Sequence, residues 1–287
     1  MYLEDFFSSS IEEIIFEEKP FFLKRDDLLD HDFSGNKARK FYYYLHNDFP
    51  AISKLISYGS AQSNAMYSLS VLAKRKGWKF DYYVDHIASY LQENPHGNYA
   101  GALKNGMKLH IGKMPLNMPE DILFINEGGR GKEAEFGIQI LAQEILSWQK
   151  EHNLTQLNIF LPSGTGTTAL FLQKNLKNIQ VYTCPCVGNS DYLVEQFLEL
   201  ESNKNLHPKI LSLDKKHHFG KLYKENYEIW LKLQEETKVE FDLLYDPLGW
   251  RTLVHYLKDF NSPILYIHQG GVLGNESMLP RYERKYR

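Results

Sequence analysis

The sequence predicts an α/β protein with mainly parallel sheets, arranged as two domains. Three observations carry that reading. Short β-rich runs end in glycine or a turn and lead into segments of helical periodicity, the alternation from which parallel sheets are built. The length of 287 residues corresponds to about two domains of roughly 150 residues each. Hydrophobic residues make up 43 % of the chain and charged residues 24 %, far from the mix of a disordered chain, so the whole chain is expected to fold.

Strands are expected at residues 55–58, 80–84, 108–111, 122–125, 157–161, 180–183 and 264–268, each rich in β-branched or aromatic residues. A helix is expected over 61–76, where Ala65, Met66, Leu69, Leu72 and Ala73 recur at helical spacing. Lys74, Arg75 and Lys76 fill its last turn and Gly77 stops it. A second helix, over 133–150, puts Ile138, Leu141, Ala142, Ile145 and Trp148 on one face, and a third spans 222–236. The hydrophilic stretch 149–156 is the best candidate for a domain boundary, 214–220 reads as a polar connection, and 281–287 reads as a solvated basic tail.

Charge and cysteine usage exclude several partners. Thirty-three Lys and Arg against thirty-six Asp and Glu give a net charge of -3, so no global field attracts a nucleic acid or an anionic bilayer. No apolar run approaches the ~18 residues of a membrane span, and the N-terminus is acidic where a secretory signal is basic. Cys184 and Cys186 are the only cysteines, too close for an unstrained mutual bridge, which favours a reducing compartment. A cytoplasmic protein is expected.

Ligands of open α/β sheets sit beyond the carboxyl ends of strands, where helix N-termini present backbone N–H groups. Segment 162–168 (Pro-Ser-Gly-Thr-Gly-Thr-Thr) combines two glycines with four hydroxyl residues at such a junction and reads as a phosphate cup. It lacks the Gly-Lys-Ser/Thr of a nucleotide triphosphatase loop. The dinucleotide reading of Gly164 to Ala169 lacks the acidic residue about 20 positions on, where Cys184-Pro185-Cys186 stands. A glycine turn whose hydroxyls cap a helix remains the plainer alternative. Gln62-Ser63-Asn64 at a helix start suits a carboxylate or a polar ring substituent, with ordinary N-capping beside it. Lys37 stands among Gly35, Asn36, Arg39 and Lys40, a turn-and-cation setting in which a lysine of lowered pKa forms Schiff bases. Metal signatures and the Gly-x-Ser-x-Gly nucleophile turn are absent from the sequence, and Cys184-Pro185-Cys186 reads as packing.

Taken together, Ser34-Gly35-Asn36-Lys37-Ala38-Arg39-Lys40, Gly59 to Asn64, His96-Gly97-Asn98, Glu127-Gly128-Gly129, Ser163 to Thr168 and His268-Gln269-Gly270-Gly271 resemble, in order and spacing, the family of 1-aminocyclopropane-1-carboxylate (ACC) deaminase and D-cysteine desulfhydrase. The resemblance covers nearly the whole chain. It implies a pyridoxal-phosphate (PLP) enzyme of the tryptophan-synthase-β-like fold (fold type II), with the cofactor in the cleft between a large domain (1–40 and 149–287) and a small one (41–148). Lys37 then resembles the Schiff-base lysine, and Lys40 a cationic neighbour of the phosphate. Asn64 resembles the partner of the ring hydroxyl, and Ser163, Gly164, Thr165, Gly166 and Thr167 the phosphate cradle. Ser63, with Gln62, matches the position that holds the substrate carboxylate or assists at the reacting carbon, and Gln269 stands near the pyridine nitrogen where the family has threonine.

The chain departs from the pattern in a second segment as well. Tyr245 precedes Asp246-Pro247, whereas the family tyrosine follows an Asp-Pro and is itself followed by a glutamate in ACC deaminases. Tyr245 is therefore not assigned that role, and β-elimination is favoured over ring opening. The expected function is β-elimination from a small amino acid, D-cysteine first, giving pyruvate, ammonia and sulfide. ACC deamination is the alternative, and a non-catalytic PLP or amino-acid binder is the reading of another class; a nicotinamide oxidoreductase ranks behind these. The resemblance also implies a homodimer.

Overall fold

The computed structural model describes residues 8–115 and 117–286. The larger of its two sheets runs, in spatial order, β1 (Ile11–Phe16), β2 (Lys19–Arg25), β10 (Ile264–His268), β7 (Asn158–Ser163), β8 (Gln180–Pro185) and β9 (Lys209–Ile210). The smaller runs β5 (Met107–Ile111), β4 (Lys79–Val84), β3 (Lys54–Tyr58) and β6 (Ile122–Phe124). Every strand pair is parallel except β1–β2. The α/β class read from the sequence is therefore the one adopted, and each expected strand is present within a residue or two.

The strands missed by sequence are β1, β2 and the two-residue β9. β1 and β2 form a hairpin whose turn residues, Glu17 and Glu18, have φ of 50° and 60°. Such turns usually carry Asn or Gly, so no local signal marked this one. It extends the sheet because Phe16, Phe21 and Leu23 bury against Trp250 and its neighbours.

Helices α1 (Gly35–His46), α2 (Asn64–Lys76), α3 (Ser89–Glu93) and α4 (Gly97–Lys104) surround the smaller sheet, and α5 (Ala134–Glu151) and α6 (Thr167–Asn175) cover the larger one. The rest are α7 (Ser190–Leu200), α8 (Lys224–Thr237), α9 (Asp246–His255) and α10 (Asn275–Tyr286). α2 starts at Asn64 rather than 61 because Ser63 is its N-cap, accepting from the Ala65 N–H; Gly77 closes it at φ 72° as its sequence foretold.

Two expectations about organisation are corrected. The apolar face of α5 (Ile138, Leu141, Ile145) packs into the core of the larger sheet with Leu157 and Ile159. The stretch 149–156 is therefore a surface link between two elements of one core, and α5 also meets the smaller core through Phe136 and Ile140. Residues 281–286 are no solvated tail: they continue α10, where Tyr282 is buried against Tyr227, while Arg287 lies outside the described residues.

α1 is anchored by a buried ionic network. Arg39 donates through Nε and Nη2 to Asp26 (3.1 and 2.7 Å) and through Nη1 and Nη2 to Glu144 (2.6 and 2.9 Å). Lys24 also donates to Glu144, and Ser9 to Asp26. Two cations meet two carboxylates with every fork filled, the condition under which buried charge is tolerated.

Candidate active site

The carboxyl ends of β3, β7 and β10 open onto one cavity of about 450 Å³. Its floor is the segment after β7. Gly166, at φ 71°, turns the chain into α6, and a Cβ there would run into Phe197, so this turn requires glycine. Thr165 and Thr167 share a hydroxyl contact of 3.1 Å, whereas the buried Thr168 Oγ1 has no hydrogen-bond partner. Ser163 faces the cavity but its Oγ accepts from Thr183 (2.6 Å).

α1 supplies the cations. Lys37 and Lys40 are three residues apart and so share a face. Burial lowers the Lys37 amine to about 8, against the pull of Asp242. Its Nζ reaches only Asn36 Oδ1, at 3.3 Å. Lys40 is 3 % exposed and donates to the Gly128 carbonyl (3.0 Å), with no carboxylate partner among the described residues. Burial, and then the charge of Lys37, press its pKa well down. A buried ammonium facing a carbonyl and an orphan threonine hydroxyl beside a helix N-terminus together form an incomplete anion site.

α2 brings Gln62, Ser63 and Asn64 to the opposite wall. Asn98 orients Asn64: its Nδ2 donates to Asn64 Oδ1 (2.6 Å) and to the Gln62 carbonyl (3.1 Å). Asn64 therefore turns its own Nδ2 toward Gly271, which at φ 87° has no room for a Cβ beside that nitrogen. Gln269 lines the cavity, yet its Nε2 donates to the Pro162 carbonyl (2.6 Å) and its Oε1 accepts from Asn36 (2.9 Å). It braces the loop after β7 to the start of α1.

The fold brings Tyr245 to the site. It lies in the cavity, its ring 3.4 Å from where Gly164 would carry a Cβ, and an acidic residue, Asp246, follows it directly. Burial and the nearby Asp242 push its phenol up, so it stays a neutral donor. Asp242, three residues before the tyrosine, also lines the cavity and was not assigned by sequence. The available signal was two carboxylates four apart in an otherwise apolar run, since buried acids mark sites. Phe219 (5.1 Å from the Tyr245 ring), Glu127 at the rim and Arg281 were also unassigned by sequence and line the cavity. Cys184 and Cys186 are buried and unbridged, as packing requires. Burial, then Arg251 and His218, lower His217 to about 4, and no metal-holding cluster occurs among the described residues. Among the described residues no helix is long and apolar enough to cross a membrane.

No family model matches the chain, and no curated protein matches it in sequence. Solved structures do. An ACC deaminase homologue superposes with a TM-score of 0.80 at 20 % identity, over 96 % of this chain and 93 % of its own. A hydrogen sulfide-producing enzyme from Fusobacterium nucleatum follows at 0.66 and 12 % identity, over 94 % and 97 %. Threonine deaminase isoform 2 from Solanum lycopersicum matches at 0.66 and 11 %, over 97 % and 83 %. These likenesses establish the fold, the tryptophan-synthase-β-like arrangement of fold type II.

Proposed function

We propose that this chain is a PLP-dependent lyase acting on a small amino acid, with β-elimination from D-cysteine the leading reaction. The observation that carries the proposal is a lysine amine of pKa about 8 set in the wall of a cavity whose floor is a glycine- and hydroxyl-rich helix N-terminus with the orphan Thr168 Oγ1. The residues fit the cofactor. Gly164 to Thr168 and Lys40 would hold its phosphate, Asn64 its ring hydroxyl, and Lys37 would be its covalent anchor. Bound there, PLP supplies an electron sink that eases loss of a proton from the substrate Cα.

The chain's own groups account for the rest. The N-terminus of α2, with Gln62 and Ser63, presents donors to the substrate carboxylate. An amine poised near pH 8 is matched to taking the Cα proton and returning it. Tyr245, a neutral phenol, donates a proton to a departing group, and the Phe219 ring packs against it. The same placement of Tyr245, with Asp246 behind it, favours ACC deamination as the second reading. A homodimer belongs to this proposal on the strength of the resemblance.

The test is a visible spectrum with and without PLP, borohydride reduction, and peptide mass analysis, followed by pyruvate assays on D-cysteine, ACC and a panel of D- and L-amino acids. We expect a yellow band, the reduced adduct on Lys37, and turnover falling by at least about a thousandfold in Lys37→Ala. A band and adduct without pyruvate from any amino acid would leave a binding protein; no band and no adduct would refute the cofactor.

A further inference from the structure

Asp242 is 1 % exposed and lines the cavity. One oxygen, Oδ1, is fixed by two backbone donors, the N–H groups of Leu244 (2.8 Å) and Tyr245 (2.6 Å). The other, Oδ2, is buried with no hydrogen-bond partner among the described residues. It lies 3.3 Å from the point where a Cβ on Gly271 would stand, and Asn64 Nδ2 lies against that same point. Only a glycine leaves the space between these two polar atoms open. Asn64 Nδ2 is a donor, because Asn98 already occupies the amide oxygen.

We propose that Asp242 is a positioning residue that acts in its protonated form, its Oδ2–H and the Asn64 amide making a two-donor clamp for one oxygen of the cavity's occupant, the ring hydroxyl oxygen of PLP. This rests on the cofactor assignment above. The surroundings keep the proton in place. Burial and then Asp246, whose Oδ2 accepts the Asp242 N–H (3.0 Å), push the Asp242 carboxyl up to about 8, more than its two backbone donors and Lys37 pull it down. Asp246 is itself raised by burial, against the pull of His268 and the Tyr266 hydroxyl, which donates to it at 2.7 Å. The remaining titratable neighbours, Tyr245 and Cys186, are both raised by burial and add no positive charge. Below about pH 8 the clamp thus offers two donors; above it a carboxylate faces the bound oxygen and repels it.

The experiment compares wild type, Asp242→Asn and Asp242→Ala by binding of PLP and of 4'-deoxypyridoxine phosphate. The latter keeps the hydroxyl and the phosphate but has no aldehyde to react with Lys37. Asn places an N–H donor where Oδ2–H stood and keeps an oxygen for Leu244 and Tyr245. We expect Asp242→Asn to match wild type near neutral pH and Asp242→Ala to bind about tenfold more weakly. Wild type should lose affinity for the analogue more steeply than Asp242→Asn from about pH 7 to about pH 9, the variant keeping only the loss that deprotonation of Lys37 brings. If Asp242→Ala does not fold, that difference in pH profile decides alone. Asn as weak as Ala in a folded protein, or parallel pH profiles, would overturn the clamp and leave the cofactor assignment standing. A wild type with no band and no Lys37 adduct would overturn both.

Discussion

Helix α1 carries two sets of buried charge that are treated in opposite ways. On the side of Arg39 the guanidinium meets two carboxylates, in a network of Asp26, Glu144 and Lys24. On a different face of the helix, Lys40 meets one carbonyl and Lys37 one amide oxygen. Both faces are buried and both lie in one 12-residue helix, so neither local propensity nor depth explains the contrast. The first face is finished by folding, and the second is left for a ligand to finish. Its incomplete hydrogen bonding marks the site more sharply than the cavity alone does.

That contrast can be broken from either side. Replacing Arg39 by Met leaves two buried carboxylates sharing Lys24, and should cost about 3–5 kcal/mol in urea unfolding. A loss below about 1 kcal/mol would show that the network is not the anchor of α1. Lys40→Met should do the opposite to the cofactor-free protein, leaving its stability equal or higher, because a buried amine with one neutral partner is removed. PLP affinity should fall about ten- to a hundredfold in the same variant, as a charge-assisted contact to phosphate is lost. Equal destabilisation by the two substitutions would erase the distinction between the faces.

The smallest effect is a pH slope. Lys37 titrates near 8 in the fold against 10.5 for the free side chain, so between those values the unfolded chain holds the extra proton. The cost of Lys37 is fully present below about pH 8 and disappears as pH rises toward 10.5. Urea midpoints of the cofactor-free protein should therefore rise over that window relative to Lys37→Met, which removes the titrating group. Parallel midpoints in the two proteins would mean that the amine is not desolvated.

The parallel sheets, α2 with its caps, and the phosphate cup after β7 were legible because each is a local pattern. Hydrophobic period with a serine N-cap and a C-terminal glycine, and a run of hydroxyl and glycine residues, each fit within about twenty consecutive residues. Lys37, Lys40 and Asn64 were legible through the resemblance, which binds separate motifs by their order. The β1–β2 hairpin was not, since its turn uses Glu17 and Glu18 and its stability comes from Trp250. Tyr245 was left unassigned for a similar reason: its place in the cavity depends on the fold around the start of α9 and not on the Asp246-Pro247 register.

What the sequence determined by itself is the fold class and the kinds of group available, because backbone periodicity and side-chain chemistry are properties of short segments. Which of those groups remain unsatisfied was decided only by the tertiary structure. Asp26 closes on Arg39 while Asp242, equally buried, keeps one bare oxygen facing Gly271 and Asn64. The two aspartates are alike as residues; what separates them is which distant segments fold against each, and that sets whether its charge is neutralised within the protein or its hydrogen bond is kept for what the cavity binds.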